Sequence, residues 1–139
     1  MAATAAQIER LRRMCGLTPS DATYTDAVLA GYIERHQLPD EWGELPYYPS
    51  DDEPPMAETN ANWAPSYDLA AAAADVWDEK AAGYATQYDV NADGATRNLS
   101  QQYAQAQKQA RYWRSRRAMV SARVMTVPRE EREYESDFQ

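Results

Sequence analysis

An all-α fold, a small bundle of about four helices, is predicted by three observations on this 139-residue chain. Two long segments place apolar or small residues at alternating steps of four and three, the spacing of a helix face that meets another helix. Two shorter segments near the N-terminus open on capping signals. Six of the eight prolines are confined to residues 38–65, so helix-breaking residues are segregated from the helical segments.

The first helix is expected from about Ala5 to Cys15: Thr4 and Gln7 have capping-box spacing, Ile8, Leu11 and Cys15 form a stripe, and Gly16 stands where a left-handed residue ends a helix. The second is expected to start at the cap Thr25, with Tyr24 and Leu29 as a hydrophobic staple, and to reach His36 before Pro39. Val28, Leu29, Tyr32 and Ile33 share its apolar face.

Residues 38–65 then form a long arm rich in proline and aromatic residues, with the acidic cluster Asp51-Asp52-Glu53 and with Trp42, Tyr47, Tyr48 and Trp63. The aromatics predict an arm that packs on something rather than a linker, with any strand short and at an edge. The third helix is expected over Tyr67–Tyr88, with Ala70, Ala74, Trp77, Ala81, Tyr84 and Tyr88 on one seam. After a turn at Asp89–Gly94, the fourth continues the rhythm through Leu99, Tyr103, Ala106, Ala110, Trp113, Arg117, Val120 and Val124, and the two seams are expected to pair as an antiparallel hairpin. Residues 1–123 thus read as one helical domain carrying the arm, and 124–139 as an extended C-terminal tail that docks on a partner.

Charge is sorted along the chain. Residues 97–123 hold seven basic side chains and no acidic one, whereas 1–96 hold five against seventeen Asp/Glu and 124–139 two against five. Past about Trp113, Arg114, Arg116 and Arg117 wrap the whole helix circumference, which predicts a helix end that bridges to something outside its own domain. A basic helix between acidic flanks reads as an assembly surface. One Phe against ten Tyr and four Trp also favours interfaces over a wholly apolar core.

Chemistry-bearing motifs are few. Asp89, Asn91, Asp93 and Gly94 match the start of an EF-hand loop, but Ser100 replaces the bidentate Glu at its twelfth position, so a turn is preferred to a calcium site. His36 and Cys15, each the only one of its kind, make no zinc set, and no serine lies in a nucleophile elbow. His36 reads as a cation-capable residue near a helix C-terminus. The five scattered glycines form no phosphate loop, and Asp75, Asp78 and Glu79 read as a solvated acidic face. Neither catalysis nor a cofactor is expected, and no metal. With no apolar span, no signal segment and a single Cys, the protein is expected to be soluble, away from membranes, and made in a reducing compartment.

Several blocks taken together carry a resemblance. Ile8 to Met14, Tyr24 to Arg35, Trp63 to Leu69, Ala71 to Ala82 with Val76-Trp77 inside, Tyr88 to Gly94, Ser100 to Tyr103, and Ala110 to Arg117 are similar, in order and spacing, to head-tail connector proteins of long-tailed double-stranded DNA bacteriophages. The resemblance runs to about Ala118. It implies an adaptor, or head completion, protein without catalytic residues. Such a subunit is a structural virion protein that forms a ring, usually twelvefold, in the neck beneath the portal and receives the next neck protein on the tail side. Packaged DNA would pass through the lumen without sequence-specific contact, and the subunit would assemble in the bacterial host cytoplasm. The residues expected to dock on partners are Arg111, Arg114, Arg116, Arg117 and Arg123 of the basic segment, Tyr134 and Phe138 of the tail, and Trp42, Tyr47 and Tyr48 of the arm. The alternative is a helical regulatory or nucleic-acid-binding module that uses the basic helix 97–123 on phosphates.

Overall fold

The computed structural model describes residues 2–49, 56–88 and 99–119. In chain order the elements are α1 (Ala5–Cys15), α2 (Asp26–Glu34), β1 (Tyr47–Pro49), β2 (Ala57–Thr59), α3 (Leu69–Tyr88) and α4 (Leu99–Ser115). The fold is mostly helical, and its one sheet is the antiparallel pair β1–β2, with Tyr48 opposite Glu58. Short strands therefore do lie in the arm, as a separate hairpin rather than an addition to the bundle.

Local signals act as expected in the first two helices. Thr4 Oγ1 accepts from Gln7 N while Gln7 Oε1 accepts from Thr4 N, and Gly16 closes α1 in the left-handed region at φ 62°. Thr25 caps α2 by accepting from Val28 N, and its staple residues Tyr24 and Leu29 are both buried. Helix α2 stops at Glu34 instead of reaching His36. The next residues are drawn into an antiparallel connection with the approach to α3: Gln37 bridges Tyr67, Leu38 N donates to Ser66 O at 2.9 Å, and Asp68 N donates to His36 O at 2.8 Å. Pro39 reinforces the exit, because a residue before proline is disfavoured in the α region. The same pairing holds Tyr67 out of α3, which begins two residues later than its periodicity suggests.

Helix α3 is the middle of the bundle. On one side it packs on α1 and α2, and on the other on α4. Leu11, Cys15, Leu29, Ile33, Ala72, Ala73 and Val76 form the core between α3 and the N-terminal helices, with Tyr24, Trp63 and Tyr67 closing it. Fully burying side chains such as Leu11, Leu29, Ile33 and Val76 stabilises by roughly 1.5–3 kcal/mol each. Where α3 packs on α4, Ala74 and Ala81 of the one and Ala106 and Ala110 of the other are buried outside that core. Tyr84 lies near Ser100 and Tyr103, while Trp77 lies near Ala106, the running order of an antiparallel hairpin.

Polar contacts fix the register of these helices. Arg12, 7 % exposed, donates to Asp26 at 2.6 Å and to Thr18 O at 3.0 Å, tying α1 to the start of α2. Lys80 Nζ donates to Cys15 O at 2.7 Å, so a cation from α3 satisfies a terminal carbonyl of α1, with the Trp77 ring 4.4 Å away. Burial lowers the Lys80 pKa, and burial pushes the Cys15 thiol up to about 12 despite that nearby cation. Cys15 is thus an inert core residue. His36 Nε2 and Asp75 Oδ2 lie 2.6 Å apart, and Arg114 of α4 pairs with Asp78 of α3. The presumed solvated acidic face of α3 is partly consumed by these two pairs.

Helix α4 ends at Ser115, and this changes the reading of the basic end. Arg116 N donates to Trp113 O and Arg117 N to Arg114 O, closing a tight last turn. The chain then turns inward, where Ala118 N donates to Asp68 Oδ2 at 2.9 Å. The other oxygen of Asp68 accepts from Ala71 N at 3.0 Å and caps α3. One buried carboxylate therefore joins the first turn of α3 to the exit of α4. The expected continuous seam through Arg117 is broken at that turn, while Val120, Val124 and the Asp89–Gly94 turn lie outside the described residues.

Two stability predictions follow from this packing. Trp77→Ala removes a ring wedged between α1 and α4 and is expected to cost ~3–5 kcal/mol, whereas Arg116→Ala loses a surface contact worth ~0.5–1 kcal/mol or less. Thermal melts of the two variants compare them directly. Asp68→Ala should cost roughly 1–2 kcal/mol as a lost cap. It should also accelerate amide exchange at both Ala71 and Ala118; acceleration at Ala71 alone would show that the clasp on α4 is not formed.

Candidate docking surfaces

The arm is organised by polar side chains rather than by apolar burial. Asp40 opens a turn in which Gly43 N donates to Asp40 O at 3.0 Å and Gly43 takes φ 81°, a conformation suited to glycine. The Asp40 carboxylate accepts from Trp42 N, Glu44 N and, across the arm, Ala64 N at 3.1 Å. Burial would raise its pKa, but the backbone donors outweigh burial and hold it below the usual carboxylate range. Asn60 forms a second knot: its amide nitrogen, with two hydrogens to share, lies 2.8–2.9 Å from Glu44 Oε2, Leu45 O and Tyr48 Oη, and its side-chain oxygen accepts from Asn62 N. The Tyr48 hydroxyl donates to Glu44, which lowers the Glu44 pKa and raises that of Tyr48. Trp63 anchors the arm to the bundle, donating to Leu38 O at 2.9 Å and meeting the Tyr67 ring edge-on at 5.7 Å.

With its polar groups turned inward, the arm presents apolar area to solvent. Trp42 is 74 % exposed and Met56 67 %, and Leu45, Tyr47 and Tyr48 are each close to half exposed. Glu41 and Glu58 are exposed beside them. Trp and Tyr on a pre-ordered frame are the residues that concentrate energy at protein interfaces.

The second surface is the outer face of α4. Ala106 and Ala110 are buried against α3, leaving Gln101, Gln105, Lys108, Arg111 and Tyr112 outward. Arg111 and Arg117 are exposed, and among the described residues neither they nor Lys108 form an ion pair. Arg114 and Arg116 are not free in the same sense. Arg114 is held by Asp78, and the Arg116 guanidinium lies 4.5 Å over the Tyr112 ring, which itself meets Trp113 edge-on. Trp113 is half-buried against the core, and its Nε1–H is buried without an acceptor among the described residues. Arg123, Tyr134 and Phe138 lie outside the described residues.

The structure thus brings Trp42, Tyr47 and Tyr48 onto one exposed arm, and Arg111 and Arg114 onto the end of α4 with Arg116 and Arg117 just beyond it; neither strand of the arm packs on α4. Sequence reasoning missed the residues that shape the arm, Asp40, Glu44 and Asn60. A signal existed for the first, since Asp40 and Gly43 occupy the first and last positions of a turn that favours those types. Among the described residues no group of His, Cys, Asp and Glu is placed to hold a metal ion, and no helix is long and apolar enough to cross a membrane.

The depressed pKa values of Asp40 and Glu44 give the arm a defined acid response. Their contribution is fully present above the ordinary carboxylate pKa of about 4 and is lost as pH falls through their lower folded-state values. Near-ultraviolet circular dichroism from Trp63 is expected to fade on acidification below about pH 4. In Asp40→Ala it should already be weakened at pH 7, with a smaller acid step. An acid step of unchanged size in that variant would assign the response to other carboxylates. The chain matches no protein-family model, no curated protein and no solved structure.

Proposed function

We propose that this chain is a head-tail connector subunit of a long-tailed double-stranded DNA bacteriophage, a structural virion protein that forms a ring beneath the portal and joins the filled head to the tail-side neck proteins. The observation that carries the reading beyond sequence resemblance is the exposed aromatic arm, pre-ordered by Asp40 and Asn60 on a helical bundle whose basic residues lie on another element. A subunit that meets two neighbours in a ring needs two different docking surfaces, and this chain has two of unlike character. Twelvefold symmetry, the portal and the following neck protein are taken from the resemblance. The roles of Arg123, Tyr134 and Phe138 as tail contacts belong to the same proposal.

The nucleic-acid alternative is less well supported by the geometry of α4. Of the side chains that would read phosphates and stack a base, Arg114 is paired with Asp78, Tyr112 carries Arg116 on its ring, and Trp113 is half-buried against the core. Stacking of bases requires open aromatic faces. Protein docking uses the same residues in their observed positions.

Complementation of a connector-deficient phage tests the proposal. Deletion of residues 126–139, or replacement of Arg114, Arg116 and Arg117 together by Ala, is expected to leave a folded subunit and to make filled heads and free tails accumulate side by side. The triple substitution should cost the fold no more than ~1 kcal/mol, since the Asp78 pair is half exposed. Normal virion yield from both variants would remove these segments from the portal contact. Failure of the unaltered chain to form a ring in register with a portal under negative stain would reject the connector reading itself.

A further inference from the structure

We propose that the arm of one copy docks on the outer face of α4 of the next copy, setting Glu41 and Glu58 against Lys108 and Arg111, with Trp42 and Tyr47 supplying the apolar contact. This identifies the contact through which the ring of the proposed function closes, and it rests on that reading for its cyclic geometry.

Charge complementarity commits the arm to this occupant. Residues 38–65 contain seven Asp/Glu and neither Lys nor Arg, whereas α4 with its last turn, residues 99–117, contains five Lys/Arg and no acid. Within each surface the buried or paired charges are already spent: Asp40 on backbone amides, Glu44 on Tyr48 and Asn60, Arg114 on Asp78, Arg116 on Tyr112. Among the described residues, the charges left over are Glu41 and Glu58 on the arm and Lys108, Arg111 and Arg117 on or just beyond α4, all exposed and without an ion pair there. Each surface offers what the other lacks.

Within one chain the strands of the arm do not reach α4. Helix α4 packs on α3, and neither strand of the arm packs on α4. One copy therefore carries an unsatisfied acidic, aromatic surface and an unsatisfied basic one at separate places, the arrangement of a heterologous interface that repeats from copy to copy. The arm binds at low ordering cost, because Asp40 and Asn60 already fix its shape through main-chain and side-chain hydrogen bonds. Exposed ion pairs contribute mainly direction and rate of encounter, and the Trp42 and Tyr47 rings supply the area that holds the contact.

Reciprocal charge reversal on the full-length chain tests this. Sedimentation equilibrium at low salt and rising concentration is expected to show self-association of the unaltered chain. Glu41→Lys with Glu58→Lys, and separately Lys108→Glu with Arg111→Glu, should each weaken it roughly tenfold or more. An equimolar mixture of the two variants should regain association, because each reversed arm then faces a reversed helix and each unaltered arm an unaltered one. All four positions are exposed, and circular dichroism checks that both variants fold. Mixtures that stay monomeric, or association indifferent to both reversals, overturn the proposed contact. Loss of binding to duplex DNA in Lys108→Glu/Arg111→Glu with self-association unchanged overturns it as well and assigns α4 to nucleic acid. A ring on the portal that ignores both reversals sinks this contact but leaves the connector reading intact. Reciprocal rescue in a chain that cannot complement a connector-deficient phage does the reverse.

Discussion

Because α3 packs on α1 and α2 as well as on α4, its closest approaches call for small residues, and the run Ala71–Ala74 meets that demand while Trp77 fills the wider gap beside it. Alanine has the highest helix propensity and the smallest side chain that still excludes water, so the same residues favour the helix and let its neighbours approach. Larger apolar groups then come from the neighbours: Leu11 of α1, Leu29 and Ile33 of α2, and Trp113 of α4. Both layers depend on this narrow central rod, and a bulky residue at Ala72 or Ala73 would have to displace an entire helix.

The arm solves a different problem. With so many prolines it cannot use a helix, and three-residue strands bury little area. Its order comes instead from two side chains that imitate backbone partners. The Asp40 carboxylate gathers amides from both legs of the arm, and the Asn60 amide ties Glu44, Leu45 and Tyr48 together. Since the interior of the arm is polar, the rings of Trp42, Tyr47 and Tyr48 are left at its surface, while Trp63 turns into the bundle core. Exposure of Trp42 and Tyr47 is therefore a consequence of how the arm is built.

Much of this was legible in the sequence wherever one residue type has one physical use. Thr4, Gly16 and Thr25 could be placed because caps have narrow requirements, and the seam of α3 could be placed because the four-and-three step survives tertiary packing. The opposite, equally buried face of α3 was less legible, because alanine carries no sign of which side it faces. Helix ends governed by distant partners were misjudged. Gln37 and Leu38 leave α2 to pair with residues 66–67, and α4 stops where Ala118 reaches Asp68, fifty positions earlier in the chain. At the docking surfaces, the types of residue were readable but their employment was not: nothing local marks Arg114 as bound to Asp78 and Arg111 as unbound.

The Asp68 clasp also determines how the subunit carries load. A pull on the chain beyond Ala118 does not act first on the last turn of α4, which would peel open one hydrogen bond at a time. It enters at Asp68, at the root of α3, and is shared there with Ala71 and with the connection to His36. The Asp68 hydrogen bond must therefore break before the last turn of α4 can begin to peel. A segment leaving this point can be a tether without loosening the helix that precedes it.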